Sequence, residues 1–131
     1  MRHHVVCTAL LAAALSSTGA WSQVREEDDC LVLKPGITSP VEMATCAFDL
    51  PGSKLALDKA FAELRRGVPA DHRRLLDKAQ RAWIAHRTTQ CLREAGGTPG
   101  STGHSSAIIG CTAEMNRERA SSLRSELKDR W

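Results

Sequence analysis

From residue 39 onward, apolar positions recur every three or four residues, and no stretch alternates with period two. That periodicity predicts helices and no sheet. Ser39-Pro40-Val41-Glu42 carries the signals of a helix start: serine at the N-cap, proline at the first helical position, and glutamate three residues on for a capping box. Met43, Cys46 and Phe48 are expected to face inward. Pro51-Gly52 is expected to break this first helix, with Ser53 capping a second piece from Lys54 to about Arg66. Leu57, Phe61 and Leu64 fall on one face of that piece, and Gly67 and Pro69 end it. A second helix is predicted over 70–94, with Leu75, Leu76, Ala79, Trp83, Arg87 and Cys91 along one side and Gly96-Gly97 closing it. Residues 95–106 carry no apolar pattern but several glycines and a proline, which predicts a mobile loop. A third helix is predicted over 106–129, with Ile108, Cys111, Thr112, Met115, Arg119, Leu123 and Leu127 as its inner stripe. The expected fold is all-α, a small disulfide-stapled antiparallel bundle of three main helices, the first one broken at Pro51-Gly52.

The N-terminal pattern is different. Arg2, His3 and His4 precede an uncharged apolar run, Val5 to Leu15, and small residues follow to Ser22. This is the order of a secretory signal peptide over residues 1–22, with cleavage after Ala20 or, by slight preference, Ser22. The run is well short of the roughly 20 residues that span a bilayer, so no stable membrane anchor is expected after cleavage. The mature chain, 23–131, is one domain by length. It begins with a charged arm, Arg25-Glu26-Glu27-Asp28-Asp29, predicted to be solvated and tied down by Cys30. Pro35-Gly36 marks a turn.

Charge narrows the partners. The chain has 18 Lys and Arg against 15 Asp and Glu, a formal net charge of +3, which loss of Arg2 lowers to about +2. Neither sign dominates, so neither a nucleic acid nor an anionic membrane surface is an expected partner. Aromatic side chains are few, and tyrosine is absent. A core this thin needs crosslinks. Cys7 lies in the signal, whereas Cys30, Cys46, Cys91 and Cys111 remain, which in a small exported chain implies two disulfides. If the helices run up, down, up, these four gather at one end and all three pairings are open. Cys30–Cys46 and Cys91–Cys111 are favoured, because each closes one local connection. Each bridge contributes about 2–4 kcal/mol.

Catalytic chemistry finds no support. Cys91 and His86 lie five apart and point to different helix faces. His72, His86 and His104 lack metal-ligand spacing, and there is no close cysteine pair. No enzyme activity, metal or other cofactor is expected. Arg87 and Arg119 interrupt apolar stripes, and a buried guanidinium needs partners. They are expected to clamp the helices beside Trp83, with Glu42, Asp49 and Glu114 as candidate carboxylates. Gln80 and His86 are expected to be solvated. Arg65, Arg66, Arg73 and Arg74 form an exposed basic face around the turn between the first two helices.

The segments SPVEMATC, LALDKAFAEL, AQRAWIAHRTTQC and CTAEMNRERASSL resemble the lysozyme inhibitor LprI-like family of small bacterial envelope proteins. The most specific parts are Ala79-Gln80-Arg81-Ala82-Trp83 with Arg87 and Cys91, and Cys111 with Met115, Arg119 and Leu123. Asp58, Phe61 and Asn116 stand where asparagine, tyrosine and threonine are usual, and relatives tend to run on through Pro51-Gly52. The resemblance implies an α-helical domain in the periplasm or outside the cell and, for some members, inhibition of lysozyme. For that activity the 95–106 loop is the candidate surface, with Ser101, Thr102, His104 and Ser105 as donors toward catalytic carboxyl groups. The alternative is a non-enzymatic helical interaction module for another envelope protein, using the basic face at Arg65, Arg66, Arg73 and Arg74.

Overall fold

The structure is a computed structural model and describes residues 27–129; the segment 1–22, expected to be a signal peptide, lies outside the described residues. Within them the chain forms five helices: α1 (Glu27–Leu33), α2 (Pro40–Ala47), α3 (Leu50–Gly67), α4 (Ala70–Glu94) and α5 (Thr102–Asp129). No strand occurs among the described residues. Both favoured disulfides are present, Cys30–Cys46 and Cys91–Cys111.

The long helix α5 is the hub, packed most extensively on α3 and also touching α2 and α4. Pairings along its length fix the directions. Ser53 near the start of α3 meets Asn116, while Gly67 at its end lies against Leu127. These two helices are therefore parallel. Cys91 near the end of α4 is bonded to Cys111 near the start of α5, and Gln80 meets Arg119 further down. Thus α4 runs antiparallel to α5, which gives the expected up, down, up order.

The α3–α5 seam supplies the core. Leu57, Ala60, Leu64, Val68, Ala120 and Leu123 are buried together, with Phe61, Leu76, Trp83 and Leu127 partly buried against them. Ala60 and Ala120 are small enough to let the two backbones approach, and the leucines fill the space between them. Removing side-chain volume from such a seam forfeits transfer energy and leaves a void.

The interruption between α2 and α3 sits two residues earlier than Pro51-Gly52. Asp49 adopts a left-handed conformation (φ 49°, ψ 50°) and turns the chain there. This conformation is costly for most L-residues but tolerated by aspartate. Pro51 then falls in the first turn of α3, where a missing N–H costs nothing. The Asp49 carboxylate lies over Gly52, and a Cβ at that position would push it aside. Ser53 is not the cap of α3 but lies one turn inside it, buried. At α2, Ser39 and Pro40 stand where expected, but the capping box does not close. Ser39 makes no side-chain cap hydrogen bond, and Glu42 lies 4.0 Å from the Lys34 ammonium instead.

Two other expectations change, and the end of the charged arm gains a structure: Glu27–Asp29 open α1, a short helix that rests on α2 through the Cys30–Cys46 bridge. Helix α4 spans 70–94 as expected, but Leu75 and Ala79 on its predicted inner side are exposed, while Gln80 is buried. The buried line of α4 is rotated toward Leu76, Gln80, Trp83, Arg87 and Cys91, the side that meets α5. Helix α5 begins at Thr102, four residues before its predicted start, because Ser101 supplies an N-cap that the glycine-rich composition concealed.

The end of α3 is tied to the start of α4 by an ion pair, Arg65 Nε and Nη2 donating to the Asp77 carboxylate at 2.7 and 3.1 Å. The hydrogen bond from Arg65 holds the Asp77 carboxyl below its ordinary value of 3.8. A depressed carboxyl contributes stability that is present above the ordinary value and lost as pH falls through the folded one. The pair is well exposed, so its contribution is small and salt-sensitive.

Two outcomes are expected. Leu123→Ala, at a fully buried position, lowers unfolding free energy by about 2–5 kcal/mol in urea with both bridges intact; a loss within error would remove the α3–α5 seam as the core. The difference in melting temperature between wild type and Asp77→Asn narrows as pH is lowered through the carboxylate range, whereas a pH-independent difference would exclude the ion pair as its cause.

Candidate functional site

The described residues present one elaborated end, where α4 hands over to α5. Cys91, fully buried, is bonded to Cys111, and this bridge clamps the two helices at the base of the connection. The connection is short, residues 95–101, because α5 starts at Thr102. Gly97 (φ 85°) and Gly100 (φ 82°) make its reversals in a region that suits glycine.

His104 and Ser101 brace this tip from within. Ser101 Oγ accepts the His104 backbone N–H at 3.3 Å, the N-cap bond of α5. The His104 ring lies with Nδ1 3.2 Å from the Gly96 carbonyl. A carbonyl only accepts, so Nδ1 carries the proton in this contact. The four candidate binding residues are thus distributed unequally. Ser101 and Thr102 are exposed at the tip and first turn, whereas His104 and Ser105 are half-buried inside the helix.

Below the tip, α4 and α5 are held by a polar seam. Arg87 Nη1 donates to Asn116 Oδ1, Asn116 Nδ2 donates to Ser53 Oγ at 3.1 Å, and Ser53 Oγ donates to the Leu50 carbonyl at 2.8 Å. This relay links α4, α5 and α3. Burial pushes the Arg87 guanidinium below its ordinary value, with the Asp58 carboxylate opposing. One turn below, Arg119 Nε donates to Gln80 Oε1 at 3.3 Å. Both guanidiniums lie over the half-buried Trp83 ring, at 5.5 and 5.7 Å from its centroid, within reach of cation–π attraction. The arginines do stand at the helix junction beside Trp83. The acceptors found for them are amide oxygens, of Asn116 and Gln80. Of the carboxylates considered for this role, Glu42 faces Lys34 and Glu114 pairs with Arg117 at 3.2 Å. A buried amide gives a guanidinium an acceptor without bringing a second charge out of water, although the buried Arg87 Nε is left without a hydrogen-bond partner.

Asn116, 1% exposed, and Gln80, 7% exposed, were not expected as partners. The available signal was periodicity: Ala113, Asn116, Ala120 and Leu123 form an i, i+3, i+7, i+10 series, and Gln80 follows Leu76 by one turn. Elsewhere, Arg65 is committed to Asp77 and Arg73 Nε donates to the Val68 carbonyl at 3.3 Å. The predicted basic face is partly spent on internal contacts.

Fold and site together define a class: a small all-α domain, stapled by two disulfides, presenting a braced loop on a stem of two helices. The family described as lysozyme inhibitor LprI matches residues 34–123, and the chain belongs to that family. No curated protein and no solved structure is matched.

Asn116→Leu is expected to strand the Arg87 guanidinium and destabilise the fold by roughly 1–3 kcal/mol. Combined with Arg87→Met, part of that loss is recovered, because neither partner is then left unpaired. Urea unfolding of the four proteins of this cycle measures the coupling, and additive losses would separate the two residues.

Proposed function

We propose that the protein is an exported, non-catalytic inhibitor that binds lysozyme and obstructs its cleft with the 95–101 tip and the first turn of α5. Membership in the lysozyme inhibitor LprI family supports the partner. The braced geometry of the tip supports the surface. Lysozyme cleaves its glycan with a pair of carboxyl groups in a cleft. An obstructing element must be narrow, hold its shape, and meet those carboxyls with donors. The tip is narrow because Gly96, Gly97 and Gly100 carry no side chains. It holds its shape through the Cys91–Cys111 bridge and the His104–Gly96 contact. Its donors are the hydroxyls of Thr98, Ser101 and Thr102 and the backbone amides of Thr102 and Gly103 that precede the capped His104 amide, at a helix end whose positive dipole favours a carboxylate. His104 acts by shaping the tip through its contact with the Gly96 carbonyl. Ser105 supports the same turn from inside the helix. Export fits the two disulfides, which persist in oxidising compartments, and it places the mature chain in the periplasm or outside the cell.

Purified mature protein is expected to inhibit lysozyme at micromolar concentration. Deleting residues 98–100, with both bridges retained, weakens inhibition at least tenfold, about 1.4 kcal/mol. A turbidity assay on cell-wall substrate measures both. Equal inhibition by the two proteins would rule out the tip, and no inhibition by either, across several lysozyme types, would rule out the activity.

A further inference from the structure

Beside the tip, α4 and α5 enclose an open groove of about 410 Å³, lined by His86, Gln90, Glu94, Cys111, Glu114, Met115 and Glu118. Its composition is layered. Cys111 and Met115 are half-buried and form the floor, with Met115 Sδ 3.7 Å from Cys91 Sγ, so the floor is thioether and disulfide sulfur. Glu94, Glu114 and Glu118 are exposed and stand at the rim. Two of these carboxylates are engaged at the edge: Glu94 accepts from Gln90 and lies 3.8 Å from Arg93, and Glu114 pairs with Arg117. Glu118 makes no hydrogen bond or ion pair among the described residues. Polarizable sulfur below and carboxylates above suit a side chain with an aliphatic stem and a cationic head.

We propose that this groove receives a lysine or arginine side chain of the protein that the tip engages, its stem on the Cys111–Met115 floor and its charge among Glu94, Glu114 and Glu118. The assignment rests on the reading of the tip as the partner-facing end, with which the groove is continuous: Glu94 is the last residue of α4, and the tip begins at Ala95. Charge complementarity decides the chemistry of the occupant. The chain's formal charge of +3 gives no overall attraction for a basic partner. Locally the balance differs: the groove rim carries Glu94, Glu114 and Glu118 against Arg93 and Arg117 at its edge, and Glu118 is left without an ion-pair partner among the described residues. A cationic side chain entering the groove therefore meets a carboxylate that is not already shared.

The test uses the mature chain and a variant with Glu94→Gln, Glu114→Gln and Glu118→Gln together. These positions are exposed, and unchanged helicity by circular dichroism verifies the fold. Two probes are applied. Trilysine and its fully acetylated counterpart are titrated into each protein by NMR. Trilysine is expected to shift amides around 90–94 and 111–118 in wild type, at least fivefold less in the variant, and the acetylated peptide not at all. Binding to a basic lysozyme is measured from 50 to 300 mM salt, where the variant is expected to bind at least tenfold more weakly with a shallower salt dependence. Trilysine shifts that are absent, or unchanged in the variant, overturn the groove, as does lysozyme binding that is the same in both proteins. If wild type binds no lysozyme, the proposed function falls, and the peptide result alone decides whether the groove takes a cationic side chain.

Discussion

The structure depends on a crosslink at the one place where its core is weakest. Helix α4 has α5 as its main neighbour among the described helices, and their contact surface is largely polar: Gln80, Arg87, Asn116 and Arg119 occupy it. Hydrophobic burial there is too limited to define where α4 sits. The Cys91–Cys111 bond defines it covalently at the top, and the polar seam defines it along the length. A tip of seven residues can hold a fixed position only because both of its stems are fixed in this way.

The polar seam carries a cost as well as a benefit. Two guanidiniums are brought to a helix junction, where desolvation penalises charge. Amide oxygens and the face of Trp83 offset that penalty without introducing a second ion. The arrangement is directional, because each amide reaches its arginine from one register only. Leucine at the same positions would bury more area but would tolerate sliding. The relay from Arg87 through Asn116 to Ser53 also spans three helices, so α4 is indexed against the α3–α5 pair and not merely attached to α5.

Much of this was legible in the sequence. The span of α4, the three long helical segments and the two bridges follow from periodicity, terminal glycines and the cysteine positions. What was misplaced shares a physical cause. Pro51-Gly52 looks like a breaker, yet proline is well suited to a first helical turn, and the true reversal needed Asp49 in a conformation that composition does not announce. The start of α5 was hidden because Thr102-Gly103-His104-Ser105-Ser106 has weak helix propensity; the Ser101 cap and the packed remainder of a 28-residue helix override it. Gln80 and Asn116 were assigned to water or passed over because amides are ordinarily exposed, and only the tertiary pairing with Arg119 and Arg87 reveals why they are inside. The glycine-rich connection was drawn too long, so three of its four proposed donors, Thr102, His104 and Ser105, belong to a helix.

The reliance of α4 on a single neighbour makes the molecule two-tiered. The α2–α3–α5 assembly holds the leucine–alanine seam, while α4 is moored at both ends, by the two-residue Val68-Pro69 connection to α3 below and by the Cys91–Cys111 bond above. Reducing that bond would leave α4 anchored only at its α3 end, and the 95–101 tip would lose its fixed position while the leucine–alanine seam stays packed.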